Sequence, residues 1–400
     1  MDAGDARTVG ARLLRIRLAR RKSLRVVAGL AGMGKSKLSQ IERGETALDS
    51  ISDIVALANA LQIAPSELIT LPVPAPANGH TDSTIEAIRL AMDAIEVDRP
   101  EGLVLPVAAL REQVTHIHRQ RRACLTAEVA TDLPALVRNL HTTLATGADH
   151  DEVLELGVYL HAHVTRWWLI EATASTDLIR RVMFLTRRLA QERDTVTMLG
   201  VAGMVVADTL LHSGAFAPGQ AELDALTMPP TTAETAGLVA KITSLHAASA
   251  WLNGRPGDVA APLGEVEELA GRFGTAGEAD STGYVHGPVD AANTRMSLAL
   301  EAGDPDQVAG VARGVDPERH PFTVNRAHYW AVYGRALARL RGRQDDAVKA
   351  LRRAEEIHPH RVQRDPFVRE VLGELRGRVR PDSPAGRELR RMAYRAGLPA

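Results

Sequence analysis

Apolar residues recur at helical spacing along most of the chain, and no stretch alternates with period two for long enough to make a strand. A first helix is expected over 8–20, with Thr8 as N-cap and Val9, Leu13 and Ile16 on one face. A second follows the cap Ser23, carries Val26, Val27 and Leu30, and breaks at Gly32. A third starts near Gly34 or Lys35, turns Met33, Leu38 and Ile41 inward and stops at Gly44. The fourth spans 50–62, with Asp53 three residues after Ser50 in a capping pattern and Ile51, Ile54, Ala58 and Leu61 as its buried stripe. Pro65 suits the first turn of a short fifth helix. Together these elements predict a small five-helix domain over 8–69, the head of the chain. Residues 70–82 hold three prolines and a glycine and predict a semi-extended linker.

From 83 to 400 the pattern is alanine- and leucine-rich helix, arranged in pairs. The clearest pair covers 325–359, where Gly342, Ala347, Leu351, Ala354 and Pro359 stand at the offsets of a tetratricopeptide repeat. Small alanines let two helices approach closely, and the proline ends the pair. Ala331 stands where tryptophan is usual, and Gly334 comes one place early. Weaker pairs are expected at 151–172 with 176–192, 195–213 with 218–226, 235–254 with 258–273, and 290–303 with 304–314. The fold class predicted is all-α: a five-helix head, a proline-rich linker and a degenerate, tetratricopeptide-like α-solenoid. A generic helical bundle is the alternative for the second part.

Four hundred residues, 24% charged and 45% apolar, fit a chain of two or more globular domains. The single cysteine, Cys124, excludes an internal disulfide framework and a cysteine-built zinc site, and fits a reducing cytoplasm. No leader peptide or membrane span is expected. The net charge of −1 hides an asymmetry: between residues 12 and 43, Arg12, Arg15, Arg17, Arg20, Arg21, Lys22, Arg25, Lys35, Lys37 and Arg43 face one acid, Glu42. Such an excess fits a surface that meets phosphates, or a solvated helix face.

Residues 12–69 resemble the XRE family, the phage-repressor type of helix-turn-helix domain. The resemblance rests on Ser23-Leu24-Arg25 with Val27-Ala28, Ala31-Gly32-Met33 at the turn, Ser39-Gln40-Ile41-Glu42-Arg43-Gly44, and Leu57-Ala58 with Ala60-Leu61, Pro65, Glu67 and Leu68. Ala28 is small where the second and third helices cross, and Gly32 supplies the backbone freedom of a tight turn. The resemblance implies that the N-terminal half of the third helix enters the major groove. Ser36, Lys37 and Gln40 become the candidates for base edges, and Arg25, Lys35 and Arg43 the candidates for phosphates. Leu24 stands where many relatives carry a DNA-contacting glutamine, and Gly34 where a serine caps the third helix.

Gly29, Gly34, Lys35 and Ser36 also match the phosphate-loop pattern GxxxxGK[ST], with Met204 to Asp208 as a formal metal-binding partner. That reading needs a parallel sheet, for which the chain offers no further strands, so Asp208 is expected to be a polar position of the 195–213 helix. His161 and His163 lie two apart and do not share a helix face; with Arg166, Trp167 and Trp168 they read as packing. His358 and His360 flank Pro359 and are expected at the surface. No catalytic constellation, metal-ligand spacing or cofactor motif stands out, and an enzyme is not expected. If the repeats bind an effector, Tyr284, His286, Asn293, Arg295, Asn325 and His328 are the candidates, since an asparagine pairs with a peptide backbone through one donor and one acceptor.

The whole layout resembles actinobacterial XRE regulators with helical-repeat C-terminal domains and, more distantly, the peptide-sensing regulators of Gram-positive bacteria. This resemblance implies a cytoplasmic, sequence-specific regulator that binds double-stranded DNA as a homodimer on an inverted-repeat operator, with a peptide or small molecule as effector and no membrane partner. The rival reading is a helical-repeat scaffold whose head contacts protein instead of DNA.

Overall fold

The computed structural model describes residues 9–69, 79–228, 231–273 and 282–398, and the chain is all-helical there. Thr8 and 70–78, most of the expected linker, lie outside the described residues. The head contains α1 (Val9–Ala19), α2 (Leu24–Leu30), α3 (Lys35–Glu42), α4 (Ile51–Leu61) and α5 (Pro65–Ile69). Next come α6 (Gly79–Glu96), α7 (Val107–Arg122), α8 (Thr126–Leu144), α9 (His150–Leu160), α10 (Arg166–Glu171), α11 (Thr176–Arg193), α12 (Val196–His212), α13 (Phe216–Asp224), α14 (Ala236–Leu252) and α15 (Ala260–Phe273). The chain continues through α16 (Pro288–Glu301), α17 (Pro305–Arg313), α18 (Thr323–Arg339), α19 (Gln344–Ile357), α20 (Pro359–Arg364), α21 (Pro366–Arg376) and α22 (Pro384–Arg395).

The expected helix pairs appear as α9–α10 with α11, α12 with α13, α14 with α15, α16 with α17, and α18 with α19. Two local features of these helices depart from the expected pattern. Residues 79–82, assigned to the linker, form the first turn of α6. Between α9 and α10, residues His161–Thr165 widen into a π-helical turn.

The described residues fall into two compact units that cut across the sequence order. One contains the head together with 295–315 and 326–400. The other contains 78–294 and 316–325. The second unit has one continuous core running through α6 to α14, with Trp168, Leu169, Val182 and Val205 fully or almost fully buried.

In the head, Leu13, Val27, Ala28, Leu38, Ile41, Leu57, Ala58 and Leu61 form the core. Of the apolar residues of α2, Val26 and Leu30 are 49% and 62% exposed. They stand four residues apart, on one face of α2, and that face points to solvent while Val27 and Ala28 turn inward. Gly10 marks the tightest crossing, since a Cβ there would stand 1.9 Å from the carbonyl oxygen of Ile41.

The head is seated on helices of its own unit. Phe367 of α21 packs against the head's core, and Ala47 joins the core of the C-terminal helices. Carboxylates then meet the head's unsatisfied amides. Glu301, the last residue of α16, accepts from Ser50 Oγ at 2.8 Å and from the backbone N–H groups of Ile51 at 3.1 Å and Ser52 at 2.6 Å. Glu370 accepts from Val9 N at 3.4 Å and Glu374 from Ala47 N at 3.1 Å. The capping pattern of α4 is therefore shared. Ser50 Oγ caps Asp53 N as expected, but Glu301 supplies the carboxylate near the first turn.

Candidate nucleic-acid interface

The candidate interface is built on the turn between α2 and α3. Gly32 takes φ +65°, which lets Met33 N reach back to Ala28 O at 2.9 Å and redirects the chain. Leu38 and Ile41 are buried beneath α3, so its other positions face out. Gly34 caps α3 without a side-chain bond, leaving the first amides of the helix open. Lys35, Ser36, Lys37 and Gln40 are all exposed, as are Arg25 on α2 and Arg43 at the end of α3. None of these six side chains takes part in the seat on α16–α22 among the described residues.

Two of the six carry local partners. Lys37 Nζ lies 2.6 Å from Asp53 Oδ2 on the first turn of α4. Arg43 forks onto both oxygens of Glu45 at 2.6 and 2.8 Å and holds the Glu45 carboxyl below the usual carboxylate range through those hydrogen bonds. Exposed pairs of this kind contribute little to stability, so they would not oppose an incoming anion strongly.

The basic excess is not all surface. Arg17 is 9% exposed and donates from Nε and Nη2 to the two oxygens of Glu42 at 2.6 and 2.7 Å. This bidentate pair ties α1 to the end of α3. Lys22 spends its ammonium on the carbonyl of Ala60. These two cations brace the domain.

A buried charge cluster that the sequence does not announce lies under the head. Asp49 is 2% exposed; Arg335 donates to its Oδ2 at 3.1 Å and to its carbonyl at 2.6 Å, and Arg339 pairs with its other carboxylate oxygen. Burial lowers the proton affinity of both guanidiniums. The Arg335 guanidinium also lies 5.0 Å from the Phe367 ring. Asp49 and Arg335 are 286 positions apart, so no local pattern announces them.

The effector candidates divide between the two units. In one, Asn293 is buried and donates to Asn325 O at 3.3 Å, while Asn325 donates to Asp290 at 2.7 Å. His286 is bonded to Val266 O, and the Tyr284 ring stands edge-on to His163 with its hydroxyl 3.9 Å from Met204 Sδ. In the other unit, Arg295 is half-buried and His328 bonds to Ser297 at 3.2 Å and Arg361 at 2.9 Å.

Two positions, Asp208 and His358, are more buried than their sequence setting suggests. Asp208 is fully buried, where burial opposes its ionisation; the Arg166 guanidinium, with His212 and Lys241 nearby, overcomes this and keeps the carboxyl ionised. His358 is 1% exposed instead of lying at the surface, because its ring turns back to cap α20. His161 and His163 are buried, as packing requires, and burial pushes His163 down to about 3. The phosphate-loop match has α2 where its strand should be, and Asp208 sits in the middle of α12.

No helix among the described residues is long and apolar enough to cross a membrane. No curated protein matches the sequence. The structure of PlcR from Bacillus thuringiensis in complex with the peptide PapR7 and DNA is similar at 12% identity and a TM-score of 0.31, over 77% of this chain and 95% of that one. The apo form of the competence regulator ComR from Streptococcus vestibularis is similar at 13% identity and a TM-score of 0.21, over 98% of this chain and 99% of that one. Residues 8–71 match a helix-turn-helix domain family, and the head of this chain is a helix-turn-helix domain.

Proposed function

We propose that the protein is a sequence-specific DNA-binding regulator of transcription, XRE-like in its head and cytoplasmic, where its DNA lies. The observation that carries this reading is the outward face of α3. Lys35, Ser36, Lys37 and Gln40 stand exposed on a helix whose other face is anchored by Leu38 and Ile41. A lysine donates to guanine O6 and N7, and a glutamine pairs with adenine, so Ser36, Lys37 and Gln40 read bases. Arg25, Lys35 and Arg43 meet phosphates and set the register.

One recognition helix reads too few base pairs for regulation, so the working form is a homodimer on an inverted repeat. The helical body dimerises and takes a peptide or small-molecule effector; Asn293 and Asn325 are the candidates within one unit, and Arg295 and His328 are separate candidates within the other. The seat of Asp49, Glu301, Glu370 and Glu374 makes the head's orientation a property of the body, which is what an effector must change.

Titrating DNA against single variants tests the residue roles. Lys37→Ala is expected to relax sequence preference by a factor equivalent to about 1–3 kcal/mol at one base pair. Lys35→Ala and Arg25→Ala are expected to weaken all sequences alike and to reduce the salt slope by about one each. Equal losses on selected and random DNA from Lys37→Ala would overturn the base-contact role.

A further inference from the structure

The C-terminal helix α22 is strongly two-sided. Leu389 and Met392 turn into the core formed with α19 and α21. On its outer side Arg387, Arg390, Arg391, Tyr394 and Arg395 line a shallow surface groove of about 410 Å³. Between 383 and 398 these four arginines face one acid, Glu388. Tyr394 is 83% exposed, an unusual setting for so large a ring.

The arginines are held without being neutralised equally. Arg395 is spent on Glu355, at 2.6 and 2.8 Å, and on Glu388 at 3.2 Å. Arg391 meets Glu388 at 3.4 Å but keeps 70% of its side chain exposed. Arg387 and Arg390 donate to the carbonyls of Asp382 and Pro381 at 2.6 and 2.7 Å, which orient the guanidiniums and leave their charge standing. Every lining side chain comes from one helix, so no second wall encloses a small molecule. A long polyanion laid across the helix meets three guanidiniums and a phenol at once. Of these, Arg387 and Arg391 follow each other along the axis in a step of about 6 Å.

This helix also belongs to the same compact unit as the head. It packs on α21, whose Glu370 and Glu374 take amides of the head. We infer that the outer face of α22 is a second DNA-backbone contact, in which Arg387, Arg390 and Arg391 meet phosphates of duplex flanking the segment read by α3 and the Tyr394 hydroxyl donates to the same backbone. The inference rests on the DNA-binding reading of the head.

The test is the salt dependence of binding by the full chain to random-sequence duplexes of about 40 and about 12 base pairs. Replacing Arg387, Arg390 and Arg391 together with alanine is expected to make the slope on the long duplex shallower by about 2–3, at roughly 0.9 per lost phosphate, and to leave the short duplex unchanged. The triple lysine variant keeps the charge and should keep the slope, and circular dichroism confirms that both variants fold. An unchanged slope on the long duplex with the alanine variant overturns the flank contact. If Lys35→Ala still weakens binding to both duplexes, the reading of the head survives that failure. A wild-type chain that binds neither duplex removes both.

Discussion

Asp49→Asn probes the seat of the head most sharply. The substitution keeps the shape of the side chain and removes its charge. Asp49 is 2% exposed, and its two arginine partners keep only 14% and 18% of their side chains exposed. Losing one partner of a buried pair costs about 3–5 kcal/mol, because the remaining charge stays buried without compensation. Here two guanidiniums are stranded, though the retained carbonyl bond from Arg335 and the Phe367 ring soften the loss. We expect a cost of about 3 kcal/mol in the stability of the unit that contains the head. A double-mutant cycle with Arg335→Gln in urea unfolding isolates the pair, and its coupling should exceed about 1 kcal/mol, the ceiling for exposed pairs. Amide hydrogen exchange over 45–53 should rise in the same variant, since the Ile51 and Ser52 amides depend on Glu301 of the same seat for partners. A coupling indistinguishable from zero, with unchanged exchange there, would refute the claim that this cluster holds the head.

Other perturbations follow the same logic. Gly10→Ala forces a methyl group to 1.9 Å from the Ile41 carbonyl and should destabilise the head by about 1–3 kcal/mol or more; an unchanged melting curve would show that α1 and α3 shift apart freely. Burial raises the Glu370 carboxyl to about 7, with Glu374 adding to the shift and the Val9 amide opposing it. Its stabilising share is therefore full below the unfolded value of 4.5 and is lost as pH rises to about 7. Glu370→Gln should flatten the stability profile across that window, and an unaltered profile would reject the assignment. Asp208→Asn leaves the buried Arg166 charge uncompensated, with only its bond to Thr209, and should cost about 3–5 kcal/mol, measured by denaturant unfolding, whereas a solvated Asp208 would give almost none.

The local structure of the head was readable because its signals are local. Ser23, Ser50, Gly32 and Gly44 announce helix ends by their own chemistry, and Leu38 and Ile41 fix which side of α3 is buried. That register leaves Lys35, Ser36, Lys37 and Gln40 outward, and the family resemblance, not the register, makes them and Arg25 and Arg43 candidate DNA contacts. Which of Val26, Val27 and Leu30 is buried could not be read, because α2 is only seven residues long and shows too little periodicity to reveal its buried face. What stayed hidden depends on partners far along the chain. Asp49 reads as a loop acid until Arg335 and Arg339 close on it, and Asp208 reads as a polar helix position until Arg166 arrives from α10. Likewise, Glu301 reads as the end of a repeat helix, although it completes the cap of α4.

The central claim is that α3 reads a DNA sequence. The most direct measurement is selection of bound duplexes from a random-sequence pool by the purified chain at moderate salt, run beside Lys37→Ala. The account predicts enrichment of an inverted repeat, with the base pair opposite Lys37 losing its preference in the variant. A well-folded chain that enriches no sequence, and whose weak binding responds little to salt, would contradict it and favour a head that contacts protein.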